Sequence, residues 1–192
     1  LQPGKTRTRD GRPRLLLSRE PRFLLQFAPD MAAPRLFLVD GSSYLYRAFF
    51  AVRGFTTSKG FPSNAVFGFT RMLIKILKAE KPDAIAVVFD APGRTFRDDM
   101  YADYKATRDA MPEDLVRQLP YVKAIPPAFN IETLEVAGVE ADDVIGTLAR
   151  RGLEQGYDVT LITADKDFMQ LVTKQAGDEA PGIIIYDDMK ER

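Results

Sequence analysis

The stretch AIAVVFD at residues 84–90 is a continuous apolar run that ends in an acidic residue. A run without alternating polar positions is typical of a strand that is buried on both faces of a sheet. Before it, apolar residues recur at helical spacing between Ser63 and Lys81, and the run RLFLV at residues 35–39 is rich in strand-forming residues. This part of the chain therefore predicts a strand, a helix and a second strand.

The same alternation continues after a charged stretch in the middle of the chain. We predict strands over residues 132–136, 158–163 and 183–186, and helices over residues 141–155 and 166–173. Apolar strands that alternate with helices are typical of a mostly parallel sheet covered on both sides. The predicted fold class is α/β.

The composition excludes several classes of chemistry. The chain has 192 residues, a size at which one domain folds without a disulfide or a structural metal. It contains no Cys and no His, which excludes disulfides, Cys/His zinc sites and catalytic triads built on thiolate or imidazole. Catalysis must therefore use carboxylates, Lys, Arg, Tyr, hydroxyls or bound ions. The lack of Cys also fits a reducing compartment.

Residues 1–30 differ in composition from the rest of the chain. They carry seven basic and three acidic residues, and their net charge of +4 balances a net charge of −4 over residues 31–192. Their apolar segments are too short for a signal peptide or a membrane span, so we predict a cytoplasmic protein without membrane contact. We interpret residues 1–30 as a non-native leader and Met31 as the start of the domain; a basic nucleic-acid-binding arm and a disordered tail are the alternatives.

Acidic residues follow the predicted strands at the points where these strands end. Asp40 follows the first strand, Asp90 follows the second, and Asp165 and Asp167 follow the fourth. Because ligands bind beyond the carboxyl ends of the strands in α/β sheets, we expect these side chains to lie at one edge. The helix predicted over residues 141–155 adds three acids to the same edge: Glu140, Asp142 and Asp143.

Each acid alone has a structural interpretation, since Asp is a common helix N-cap and acids in a first turn stabilise the helix dipole. The whole set favours a metal site, because so many carboxylates repel one another unless cations neutralise them. Mg²⁺ and Mn²⁺ prefer oxygen ligands. In a chain without His, a metal-activated water is the predicted nucleophile, and two ions would stabilise both the attacking and the leaving oxygen of a phosphodiester.

The charged middle of the chain, residues 91–131, interleaves basic residues with aromatic ones. The residues concerned are Arg94, Phe96, Arg97, Tyr101, Tyr104, Lys105 and Arg108. Cations beside stacking rings are typical of a groove for single-stranded nucleic acid. Asp98, Asp99, Asp103 and Asp109 balance the charge, so a solvated helical hairpin is the other interpretation.

Four stretches resemble successive motifs of the 5′-3′ exonuclease (flap endonuclease) domain of bacterial DNA polymerase I. They are VDGSSYLYRAFFA (39–51), FDAPGRTFRDDMYADYKATR (89–108), GVEADDVIGTLA (138–149) and LITADKDFMQLV (161–172). The resemblance covers about residues 35–190 and implies a PIN-like (5′-nuclease) domain over residues 31–192. It further implies a helical arch and a centre of two Mg²⁺ or Mn²⁺ ions that hydrolyses phosphodiesters.

The resemblance also implies the substrates and the roles of individual residues. The substrates are DNA with a 5′ flap, a nick or a single-stranded 5′ end, and RNA primers, bound by a monomer that is linked to a polymerase in full-length relatives. The implied metal ligands are Asp40, Asp90, Glu140, Asp142, Asp143, Asp165 and Asp167. Lys105 and Arg108 match the catalytic residues of the arch, and nucleic-acid contacts are implied for Arg47, Arg94, Arg97, Tyr104, Lys105 and Arg108.

The chain departs from the family pattern in three places. The two further aspartates of a GDSxDN-like segment and the helix-hairpin-helix element would lie beyond Arg192, so we expect a weak second ion and low or no turnover. Ala164 stands where Gly is usual. Pro126 and Pro127 lie in a segment that is helical in relatives, and we expect that helix to break or end early at Ile125, because proline removes a helical hydrogen bond.

Two other functions compete with a 5′ nuclease. A non-catalytic module that binds branched or single-stranded nucleic acid would keep its binding in Asp40→Asn or Asp165→Asn variants, whereas a nuclease would lose cleavage. A PIN-like ribonuclease is the third hypothesis. Toxin-type relatives of that kind lack the long arch that carries Tyr104 and Lys105, which disfavours it.

Overall fold

The computed structural model of the protein describes residues 33–101, 110–173 and 180–187. The leader over residues 1–30 and the predicted start at Met31 lie outside the described residues, as do Tyr104, Lys105 and Arg108. In chain order the elements are β1 Arg35–Asp40, α1 Gly41–Ala51, α2 Asn64–Glu80, β2 Ala84–Val88, α3 Phe96–Met100, α4 Glu113–Ala128, β3 Glu132–Leu134, α5 Ala141–Glu154, β4 Asp158–Ile162, the 3₁₀ helix Lys166–Leu171 and β5 Ile183–Tyr186.

The strands form one parallel sheet in the order β3-β2-β1-β4-β5. From the central strand β1 the chain passes to β2 on one side, and it later returns to β4 on the other side. This order creates a topological switch point between β1 and β4, the place where ligand crevices form in such sheets. The predicted α/β fold with a mostly parallel sheet is confirmed.

Helices cover both faces of the sheet, as the apolar strands require. Side chains alternate along β1, so that Leu36 and Leu38 pack with α5 while Phe37 and Val39 pack with α1, α2 and α4. All four side chains are at most 1% exposed. Two layers of core therefore hold β1 in place from both sides.

The strand register aligns the carboxyl ends of β1, β2 and β4. Asp40 at the end of β1 pairs with Val88 at the end of β2, and Val39 pairs with Ile162 at the end of β4. The residues that directly follow these strands consequently start from one edge of the sheet. This edge lies at the switch point.

The prediction that the proline-containing helix ends at Ile125 is wrong, since α4 runs through to Ala128. Pro126 and Pro127 occupy the last turn of α4, where the helix ends within two residues of the missing N–H donors. Pro126 is buried, and its carbonyl accepts the N–H groups of Phe129 at 3.0 Å and Ile131 at 2.9 Å. Burial and this C-terminal cap offset the cost of the two prolines.

Smaller differences from the predicted boundaries occur at the ends of two elements. β3 ends at Leu134 instead of Val136, and the helix after β4 is a 3₁₀ helix that ends at Leu171. In the charged middle, α3 and α4 flank residues 102–109, which lie outside the described residues. In the described part of the chain, no helix has both the length and the apolar character that a membrane crossing requires.

Candidate metal centre

Asp40 lies at the switch point, where it ends β1 and caps α1. Its Oδ1 accepts the N–H of Ser43 at 2.9 Å, and its Oδ2 accepts the hydroxyl of Thr163 at 2.9 Å. Burial raises the pKa of Asp40, the two hydrogen bonds lower it, and the carboxylates of Asp90 and Asp165 raise it again, with a net rise. Asp40 is thus a fixed, buried carboxyl with two other carboxylates nearby.

Gly41 allows α1 to begin directly beside the neighbouring strand. A Cβ at this position would lie 2.8 Å from side-chain carbons of both Phe89 and Val87, a distance that real contacts do not reach. The absence of a side chain therefore lets the α1 N-terminus, and with it Asp40, pack close to β2.

Asp90 connects the end of β2 to the starts of two helices. Its backbone N–H donates to Ser42 Oγ at 3.0 Å, and its Oδ1 accepts the N–H of Ala141, the first residue of α5, at 2.8 Å. The positive end of the α5 dipole favours an anion at this point. The Asp90 carboxylate is therefore held at the N-terminus of α5.

Asp142, the second residue of α5, shows how closely the acids approach one another. Burial of the carboxyl, followed by repulsion from the carboxylates of Asp40, Asp90, Asp165 and Glu140, raises the pKa of Asp142 to about 6. More than a third of the residue nevertheless remains accessible to solvent. Acids from the ends of β1, β2 and β4 and from the start of α5 thus surround one accessible carboxyl.

Glu140 and Asp143 form a capping box at the start of α5, and Arg97 of α3 binds both of them. The guanidinium donates to the two Asp143 carboxylate oxygens at 2.6 and 2.8 Å and lies 3.4 Å from Glu140 Oε2. A residue predicted to contact nucleic acid is thus ion-paired with two predicted metal ligands. The pairing fixes α3 against the N-terminus of α5.

Asp165 and Asp167 lie beyond the end of β4. Asp165 caps the 3₁₀ helix, since its Oδ1 accepts the N–H of Asp167 at 2.9 Å, and its own N–H donates to Thr163 Oγ1 at 3.1 Å. Both acids are exposed. Asp167 and Asp142 line the same cleft.

The acids at this edge of the sheet offer the oxygen donors that a divalent cation prefers. Within residues 33–101, 110–173 and 180–187, no group of three or more acidic side chains has an arrangement that would hold a metal ion. Backbone N–H groups and hydroxyls hold several of the carboxylates instead. The donor set still fits a hard cation, since it consists of oxygen atoms and the repulsion at Asp142 is what a cation relieves. The assignment of metal ligands remains a prediction.

The predicted nucleic-acid contacts Arg47 and Arg94 lie in different settings. Arg47 of α1 is 18% exposed, forms an ion pair with Asp187 after β5 at 2.7 Å and lies over the Tyr44 ring. Arg94 is exposed and lies 3.5 Å from the Asp99 carboxylate. Their roles in binding remain predictions, as do those of the arch residues outside the described part of the chain.

Two hydroxyl residues of the site, Thr163 and Ser42, were not predicted from the sequence. Thr163 donates to Asp40 and accepts from Asp165, and Ser42 accepts from Asp90. Each stands within two positions of an acid at a strand end. A hydroxyl in that position was the available signal, because side-chain oxygens commonly satisfy backbone groups where strands end.

The comparison with known proteins identifies the family. Residues 35–191 match the family described as "5'-3' exonuclease, N-terminal resolvase-like domain". The chain belongs to this family. It is 48% identical over 139 residues to the 5'-3' exonuclease of Aquifex aeolicus, an alignment that covers 72% of this chain and 48% of that protein. It is 51% identical over 144 residues to DNA polymerase I of Chloroflexus aurantiacus, covering 74% of this chain and 15% of the polymerase.

Solved structures of a bacteriophage T5 nuclease share the fold of this chain. The T5 5'-exonuclease with bound divalent metal ions (zinc) aligns with a TM-score of 0.59 at 20% identity, over 82% of this chain and 56% of that one. A pseudo-enzyme-product complex of the T5 flap endonuclease with DNA and metal ions aligns with a TM-score of 0.60 at 22% identity, with the same coverage. The chain spans about half the length of the Aquifex relative and of these structures.

Proposed function

We propose that the protein is a divalent-metal-dependent 5′ nuclease that hydrolyses phosphodiester bonds at 5′ ends, nicks and flaps of DNA and removes RNA primers in replication and repair. The meeting of acids at the switch point carries the proposal: Thr163 joins Asp40 to Asp165, and Asp90 accepts the N–H of Ala141, the residue before Asp142. Membership of the 5'-3' exonuclease family supports this class of reaction.

The proposed cation ligands come from the acids that surround the switch point. They are Asp40, Asp90, Glu140, Asp142 and Asp165, with Asp143 and Asp167 as further acids of the predicted set. When bound, Mg²⁺ or Mn²⁺ supplies Lewis-acid activation of water and stabilises charge on the phosphate oxygens. The relatives crystallised with metal ions and DNA support this choice of cofactor and substrate.

The chain's own side chains would orient these groups. Ser43 and Thr163 hold the Asp40 carboxylate, and the α5 N-terminus holds that of Asp90. Tyr104, Lys105 and Arg108 are proposed to bind the phosphate at the cleavage point, where cations stabilise developing charge. We further propose that residues 31–192 act as a monomeric cytoplasmic nuclease domain that is linked to a polymerase in longer relatives.

Cleavage of a 5′-labelled flap substrate tests the proposal. We expect slow cleavage in Mg²⁺ or Mn²⁺, in line with the weak second ion, and its loss in EDTA and in Asp90→Asn. Asp114→Asn on the exposed surface of α4 is the matched control and should cleave like the wild type. Cleavage that survives EDTA or the Asp90→Asn substitution contradicts a metal centre at this edge.

A non-catalytic module for branched or single-stranded nucleic acid is the second candidate. It is favoured by the finding that, among the described residues, no acidic group is already arranged for a metal ion. In that case the same substrate would bind without being cleaved, and Asp90→Asn would leave binding unchanged or improved.

A further inference from the structure

We propose that a trough along α5 binds the single-stranded 5′ portion of the substrate beyond the acidic centre. This inference rests on the proposed function, which supplies a substrate with a single-stranded 5′ portion. The α5 trough has α5 as its floor, with Phe96 and Tyr101 on one side and Phe168 and Leu171 of the 3₁₀ helix on the other. Its volume is about 1010 Å³.

The floor of the trough is low at its middle because α5 carries Gly146 there. A Cβ at Gly146 would contact Leu171 Cδ1 at 3.5 Å, so any larger side chain would fill the space between the two sides. The glycine therefore leaves space between α5 and Leu171 at the middle of the trough.

Along α5 the floor carries acids at the acidic centre, then two arginines, and in the last turn one further acid, Glu154. Asp142 and Asp143 line the end at the acidic centre, and Arg150 and Arg151 line the floor two turns later. Asp142 and Arg150 are eight residues apart on α5, a separation of about 12 Å at the helical rise. A strand with one phosphate at the acidic centre would therefore present a later phosphate to the two arginines.

Exposed apolar side chains in the lining of the trough complete the chemistry of a single-strand site. Tyr101 is 73% exposed and Met100 is 71% exposed, and both line the trough. An aromatic ring offers a stacking surface to any base, while arginines pair with phosphates. A site for a small ligand is usually lined mostly by apolar groups, whereas this trough carries charges of both signs.

Flap length is the variable that tests the trough. Fluorescence anisotropy with the full chain would compare a nicked duplex with substrates that carry 5′ flaps of increasing length. For an Arg150→Ala/Arg151→Ala variant we expect about fivefold to tenfold weaker binding of the longer flaps and unchanged binding of the nicked duplex. Losing two single-strand phosphate contacts should also reduce the salt slope of log K by about 1.4.

The matched control removes two charges from the other face of the sheet, in Lys78→Ala/Arg117→Ala, and should bind all substrates like the wild type. If the wild type binds neither flap nor nick, the proposed function fails. If the wild type binds flaps but the arginine variant weakens nick and flap equally, or neither, the trough is overturned while the proposed function stands.

Cross-linking provides a second test that does not depend on affinity. Because the chain contains no Cys, Thr147→Cys places one thiol in the trough, and Lys78→Cys places one on the opposite face. A flap that carries a disulfide-activated tether on one of the nucleotides next to the duplex should cross-link to Thr147→Cys and not to Lys78→Cys. Equal yields from the two variants, or none from Thr147→Cys despite intact flap binding, would overturn the proposal.

Discussion

The hydroxyl of Thr163 donates a hydrogen bond to Asp40 Oδ2 at 2.9 Å and accepts one from the N–H of Asp165 at 3.1 Å. Thr163 is 1% exposed, so this link is shielded from competing water. It joins the carboxyl end of β1 to that of β4 across the switch point. One buried hydroxyl therefore sets the relative positions of two of the acids that are proposed to bind metal.

Replacing Thr163 by Val should weaken metal binding without unfolding the protein. Val keeps the shape but removes the donor to Asp40, and loss of such a supporting group typically lowers metal affinity by about 10-fold to 100-fold. Thr163→Ser retains the hydroxyl and should bind Mn²⁺ like the wild type. Calorimetric titration with Mn²⁺ measures both affinities, and thermal unfolding checks the fold. Equal affinities in Thr163→Val and Thr163→Ser would show that the hydroxyl has no role in metal binding.

Asp142→Asn should stabilise the metal-free protein at neutral and alkaline pH. The pKa of Asp142 is raised to about 6, above its ordinary value of 3.8, so the folded state binds this proton more tightly than the unfolded state. The wild type should therefore lose stability relative to Asp142→Asn as pH rises from about 4 to about 6. Because the group is partly exposed, we expect a difference of about 1 kcal/mol after solvent screening, or about 2–4 °C in Tm.

Thermal unfolding in EDTA between acid and alkaline pH measures this effect. The two proteins should have the same Tm at the acid end, and Asp142→Asn should be the more stable above pH 6. Asp114→Asn on exposed α4 is the control and should follow the wild type throughout. A lower Tm for Asp142→Asn at alkaline pH would contradict the clustering of carboxylates around Asp142.

The parts of the fold that depend on local pattern could be predicted from the sequence. The apolar runs at residues 35–39 and 84–89 identified buried parallel strands, because burial on both faces leaves no room for polar alternation. Parallel strands end at one edge, so the convergence of Asp40, Asp90 and Asp165 followed from topology. The strand ends in the structure agree with this, and the four carboxylates around Asp142 were expected from the same argument.

Contacts between side chains far apart in sequence could not be predicted. No local pattern indicates that the Arg97 guanidinium binds Asp143, 46 residues later, and its predicted contact with nucleic acid stays a prediction. The prolines of α4 were expected to end the helix, but the cap formed by Phe129 and Ile131 has no local signature. Such pairings depend on how the helices pack on the sheet, and the periodicity of apolar residues in the sequence does not predict that packing.

The Arg97–Asp143 pair should contribute measurably to stability. Both side chains are partly buried, at 30% and 24% exposed, and hydrogen bonds to charged groups contribute about 1.5–3 kcal/mol. Arg97→Met should therefore lower the free energy of unfolding by about 1–2 kcal/mol. In a double-mutant cycle with Asp143→Asn, urea unfolding should give a coupling energy of about 1 kcal/mol. Additive effects of the two substitutions would show that the pair is not energetically coupled.

Gln118 of α4 should be more important for stability than any exposed residue of its helix. It is fully buried, and its Oε1 accepts the N–H of Ala65 at 2.8 Å at the start of α2, while its Nε2 donates to Asn64 Oδ1 at 2.9 Å. Gln118→Leu leaves the Ala65 N–H buried without this acceptor, which costs about 1–3 kcal/mol.

Urea unfolding measures the effect of Gln118→Leu, with Val116→Ala on the exposed face of α4 as the control. The control should change the free energy of unfolding by less than about 0.5 kcal/mol. Helices α2 and α4 pack on the face of the sheet that carries Phe37 and Val39, whereas α5 packs on the other face. We therefore expect Gln118→Leu to increase amide hydrogen exchange in α2 before it does so in α5. If Gln118→Leu proves as stable as the control, hydrophobic packing alone joins α4 to α2.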